Sequence, residues 1–176
     1  MKRSLIFVVL AAAVPGATVF AQHATSVHQR QAEVAQRGAD VMPFDLAATT
    51  HIFTKTKDGG IQRVITKRRN DNAQVKLVRQ HLRDIQQQFK AGDFSGPSHI
   101  HGQNMPGLST LREARPGQIS ISYRDIKGGA ELQYHTAETK FTAALHQWFD
   151  AQLSDHGNDA TDGNRQLHHH HGQHRR

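Results

Sequence analysis

The sequence predicts an α+β two-layer sandwich: a four-stranded antiparallel sheet with two helices on one face, in the order ββαββα. Three observations predict it. Two stretches rich in β-branched and aromatic residues, 50–66 and 118–136, each fold back at a glycine pair. Each is followed by an amphipathic segment of helical period, 71–89 and 138–153. The order also echoes itself. Asp58-Gly59-Gly60 aligns with Lys127-Gly128-Gly129, and His81-Leu82-Arg83-Asp84 resembles His146-Gln147-Trp148-Phe149-Asp150 with one residue of slip.

Residues 1–21 read as a secretory signal peptide. Lys2 and Arg3 form its basic start, Leu5 to Val14 an apolar run, and Val19-Phe20-Ala21 a cleavage site after Ala21. An uncleaved anchor is the alternative, but the run is short and Pro15-Gly16 breaks it. Export to the periplasm or the exterior is the expectation. Residues 22–41 are polar and are expected to be a flexible linker. The domain is expected over 42–157, opening at Met42-Pro43-Phe44-Asp45.

His51-Ile52-Phe53-Thr54-Lys55-Thr56 is the first strand and Ile61 to Thr66 its return. Lys67-Arg68-Arg69-Asn70 is a basic loop. Asp71 or Asn72 caps the first helix, whose stripe is Val75, Val78, Leu82, Ile85 and Phe89, with Gly92 past its end. Residues 91–117 form a long connection rich in Gly and Pro, pinned by Phe94, Ile100 and Leu111, with one helical turn over 108–114. In the second hairpin Ile119, Ile121 and Tyr123 share a face, as do Ala130, Leu132 and Tyr134. Glu131, Gln133 and His135 are then expected to face water. Phe141, Ala144, Leu145, Trp148, Phe149 and Gln152 trace the inner side of the second helix, which Gly157 ends. Residues 158–176 are expected to be a disordered His-rich tail. Its run His168, His169, His170 and His171 lacks vector-like flanks and reads as native.

Composition narrows the chemistry. The chain has 176 residues and no cysteine, which excludes disulfides and thiolate metal sites. The net charge is +7; without Lys2 and Arg3 it is 20 basic against 15 acidic residues, +5, too diffuse for a nucleic-acid footprint. The unusual count is 14 histidines.

The stretch His99-Ile100-His101-Gly102-Gln103-Asn104-Met105-Pro106 points most directly to chemistry. Read as extended chain, it sets His99 and His101 on one side, since side chains at i and i+2 project together. The predicted metal ligands are His99, His101 and Met105, with His51, His81 or His146 completing the shell. The histidine tail would capture ions weakly. Imidazole with thioether suits Cu(I) or Cu(II), and imidazole alone suits Zn(II) or Ni(II). The competing reading packs His101 and Met105 onto the core and leaves His81 and His146 as hydrogen-bonded boundary residues. Asp84, Asp150 and Glu138 have ordinary helical spacing. No nucleophile elbow, phosphate-binding loop or dinucleotide fingerprint occurs, so no catalytic residue is predicted.

Several motifs carry a family resemblance: Met42-Pro43-Phe44-Asp45-Leu46, Thr49 to Thr56, Asp58-Gly59-Gly60, Gly92-Asp93-Phe94, Ile100-His101-Gly102, Met105-Pro106-Gly107-Leu108 and Ala144 to Asp150. Over 42–157 the chain resembles a family of small, mostly bacterial proteins of unknown role, often labelled "aspartate carbamoyltransferase". Carbamoyltransferases proper are larger, two-domain proteins with a Ser-Thr-Arg-Thr phosphate loop and a His-Pro-x-Gln segment. This chain has neither, and Ser109-Thr110-Leu111-Arg112 is not that loop. Similar chains often end in Met- and Gly-rich or His-rich tails, and this one tends toward His. The expectation is an exported protein that binds or buffers a transition metal, copper favoured over zinc. The alternatives are a non-catalytic interaction module meeting an envelope protein, or an enzyme matching the label.

Overall fold

The computed structural model describes residues 16–165, with side chains from residue 26 onward. The protein is α+β. Helix α1 spans Gly16–Val41. The hairpin β1 (Thr49–Thr56) and β2 (Gly59–Thr66) follows, then α2 (Asn72–Lys90), α3 (Ser95–His101) and α4 (Leu108–Arg112). A second hairpin, β3 (Ser120–Ile126) and β4 (Gly129–His135), leads into α5 (Thr139–His156). A 3-10 turn over Gly157–Asp159 and a short strand β5 (Ala160–Asp162) close the described chain.

The two hairpins join through β2 and β4, giving a sheet of order β3-β4-β2-β1-β5. Four of these strands pair antiparallel, as the sequence implies. The fifth corrects the expectation: β5 runs parallel to β1, with His51 opposite Ala160. The sheet is therefore mixed and five-stranded, and six helical segments replace the expected two.

Helix α2 forms as its sequence dictates. Asp71 accepts the backbone N–H of Gln74 at 3.2 Å, satisfying an otherwise orphaned donor of the first turn. Val78, Leu82 and Phe89 are buried from its stripe. Helix α5 buries Phe141, Leu145, Trp148 and Phe149 on the same side of the sheet, where Phe89 and Trp148 meet with ring centroids 5.5 Å apart and planes tilted by 55°. Phe53, Val64, Leu132 and Tyr134 supply the sheet's half of this core.

Three further expectations are overturned. Residues 26–41 are no flexible linker: they continue α1, bury Val34 and anchor Arg30 to α5. Residues 158–165 belong to the fold, Gly163 lying against Ile52 and Thr54. Glu131 does not face water. It is 2% exposed because Arg63 and Arg124 close over it, their Nε atoms 2.5 and 2.6 Å from its two oxygens. Residues 1–15 of the expected signal peptide and the tail histidines 168–171 lie outside the described residues. No helix among the described residues is long and apolar enough to cross a membrane.

Candidate functional site

The stretch holding His99 and His101 is helical, and that decides the site. At about 100° per residue, positions i and i+2 point to nearly opposite sides of a helix. The side chain of His99 is 54% exposed, with Nε2 3.5 Å from Asp40. That of His101 is 2% exposed and faces inward. Pro97 is compatible with this helix because it sits in the first turn, where its missing N–H leaves no bond unmade. The predicted His99–His101 pair is therefore not formed. Met105 is buried in the hydrophobic core. His146 is structural: its Nε2 lies 2.9 Å from the Thr56 carbonyl and 3.0 Å from that of Gly59, fastening α5 to the β1–β2 turn.

A different set of imidazoles does come together. His51 projects from the inner face of β1, His81 from α2, His101 from the end of α3 and His156 from the last turn of α5. All four line one cavity of about 50 Å³. The His51 and His156 rings stack at 4.8 Å, and His101 meets His156 edge-on at 5.2 Å. Phe44 lies between the others, 5.9 Å from His51 and 5.4 Å from His81.

Each ring has a defined setting. Asp155 holds His101 through Nδ1 at 2.8 Å. Arg30 in turn grips Asp155 with Nε at 3.0 Å and Nη2 at 2.7 Å, and Nη2 also donates to the His101 carbonyl at 2.7 Å. His156 Nε2 lies 3.1 Å from Gln152 Oε1 and must donate there, which leaves its Nδ1 with the lone pair. His51 Nδ1 is buried with no partner.

Burial, reinforced by His156, His81 and His101, pushes the pKa of His51 well below that of a free imidazole, against the opposing pull of the Asp159 backbone. Burial brings His156 down to about 4, with His101 adding to the shift. It brings His81 to about 4 as well, despite Asp84. Asp155 goes the other way. Burial would raise its pKa, but hydrogen bonds from His101 and Arg30 outweigh that and hold it at about 2.

The chemistry on offer is that of imidazoles in a water-poor site, His51 and His156 neutral: ligation of a borderline metal, with Asp155 orienting the His101 ring. Among the described residues, no three His, Asp or Glu side chains already surround one point as a metal shell. The sequence reading missed Arg30, Asp155 and His156. The signal was present in part: Asp155 lies seven residues after Trp148, on the buried stripe, where an unpartnered carboxylate would not be tolerated. In comparisons with known proteins, no family model, curated protein or solved structure matches the chain.

Proposed function

We propose that this chain is an exported protein that binds a transition-metal ion, copper favoured, at His51, His101 and His156. The observation carrying the reading is the contact among these three rings at one cavity, with His51 and His156 held neutral by burial. Neutral imidazole is the ligating form, so an ion arriving there displaces few protons. A carboxylate on the second nitrogen, as Asp155 is to His101, is the usual outer partner of a metal-bound histidine. The unpartnered Nδ1 of His51 is a further donor. The rings must turn to aim at one ion, a rotamer change of the kind that often accompanies binding. Copper(I), which accepts few ligands, suits so small a cavity. Residues 168–171 would capture ions weakly and without fixed geometry.

The test is metal titration of the chain with His168 to His171 replaced by asparagine. The expected result is one ion per chain with Kd below about 1 μM for Cu(I) or Cu(II). H101A and H156A should each weaken it by at least about tenfold. If Cu(I), Cu(II) and Zn(II) all bind no tighter than micromolar, the metal reading fails and the cluster is a structural one held by Asp155 and Arg30.

A further inference from the structure

A second cavity, of about 330 Å³, opens beside the core between the end of α2, the segment after α4, and the β3–β4 half of the sheet. Its walls are the apolar faces of Phe94, Leu111, Ile121, Tyr134, Leu145 and Trp148, all nearly inaccessible to solvent. The cavity opens to solvent at its mouth, so what its apolar walls do expose is left facing water unless a ligand covers it. Its volume lies at the lower end of the range of small-molecule sites, and its make-up is theirs: an apolar body with a few polar groups.

The polar groups at the mouth have one sign. Lys90, at the last turn of α2, and Arg115, in the exposed loop before β3, both line the opening. Neither side chain forms an ion pair among the described residues. No acidic residue lines the cavity. Trp148 Nε1 is also buried with no acceptor, and Trp148 lines both this cavity and the imidazole one.

We infer that this cavity binds a small amphipathic anion, a medium-chain or aromatic carboxylate, with its apolar body among Leu111, Ile121 and Trp148 and its charge at Lys90 and Arg115. The site shares Phe89 and Trp148 with the imidazole cavity but none of the proposed metal ligands, since none of its lining residues is a histidine. A carboxylate with a short chain matches a cavity of about 330 Å³ better than a longer lipid anion does.

Trp148 is the chain's only tryptophan, so its fluorescence reads occupancy directly. The experiment titrates decanoate into the full chain, with decanol and decyltrimethylammonium as uncharged and cationic controls. The expected result is a saturable change in Trp148 emission with decanoate at one site per chain, at least about tenfold tighter than with decanol and absent with the cation. The double variant K90E/R115E alters only exposed side chains and should abolish that preference while leaving decanol binding unchanged. I121F should narrow the cavity and weaken both decanoate and decanol while keeping Trp148 the only tryptophan. No saturable response to decanoate overturns the proposal. Equal binding of decanol and decanoate, or an unaltered preference in K90E/R115E, overturns its charged part.

Discussion

His156 lies face to face with His51, the ring centroids 4.8 Å apart and the planes 7° from parallel. Two cations cannot share that spacing away from water. The stack therefore excludes the doubly protonated pair, and burial makes the neutral form the resting state of each ring.

Acid should therefore loosen this protein near pH 6 rather than near pH 4. In the unfolded chain these histidines take up protons near 6.5, whereas folded His156 and His81 do so at about 4 and His51 well below 6.5. Between those limits the unfolded state binds more protons, so stability is complete above about pH 6.5 and falls as pH drops toward 4. Each ring adds a slope of up to about 1.4 kcal/mol per pH unit. Urea midpoints measured across this range should show the fall, and H156Q should flatten it. A midpoint constant from neutrality to about pH 4.5 would contradict the assignment of neutral buried rings.

Asp155 should be the costliest single charge to remove. Its carboxylate joins three elements: α5 itself, α1 through Arg30, and α3 through His101. D155N keeps the shape but removes the charge and turns one of the two acceptor oxygens that Arg30 and His101 share into a donor, a loss of about 2–3 kcal/mol in chemical denaturation. R30A should cost less, about 1 kcal/mol, because its side chain is 39% exposed and water can replace it. The contribution of Asp155 should be present above about pH 4 and disappear as pH falls toward 2, since its folded pKa is the lower one.

What could be read in advance follows physical locality. Helix α2 was legible because its cap and its stripe are local, and the hairpins because alternation and paired glycines are local too. Strand β5 was not, since Ala160-Thr161-Asp162 is too short to alternate and acquires its identity only from the free edge of β1. Arg30 and Asp155 are 125 residues apart, so neither announces the other. The histidine cluster shows how a residue can enter for a reason that the fold does not share. A strand period pairs His101 with His99, in a chain that is helical there, and brings in His51 and His81 only to complete the shell. In a segment with Gly96 and Pro97, local composition favours a loop, and tertiary packing of Ile100 and His101 overrides it.

Gly107 is predicted to tolerate no side chain. Its φ is +79°, and an added Cβ would stand 2.1 Å from the Ala144 carbonyl oxygen of α5. G107A must therefore push α4 away from α5, at a cost of more than about 3 kcal/mol. Gly102 is the control. Its φ is also positive, +87° with ψ 163°, a region that glycine almost alone adopts, but nothing lies within 4 Å of the added methyl. G102A should cost only the backbone strain, about 1–3 kcal/mol. Thermal melts of the two variants separate close packing from conformational preference, and equal losses would show that the α4–α5 approach is not the constraint.

Substituting the histidines one at a time separates the ring cluster from the pattern His99-Ile100-His101. If His51, His101 and His156 form the site, H99A leaves metal affinity within about twofold of the parent, because His99 points away from the cavity and toward Asp40. H146A also leaves affinity unchanged while lowering stability by about 1 kcal/mol, since it removes the bond to the β1–β2 turn. H101A and H156A do the reverse, losing metal at concentrations the parent still retains. A loss of affinity in H99A equal to that in H101A would require both rings on one ion. The helix would then have to unwind in the bound state, and circular dichroism of the loaded protein would show α3 melting as the metal enters.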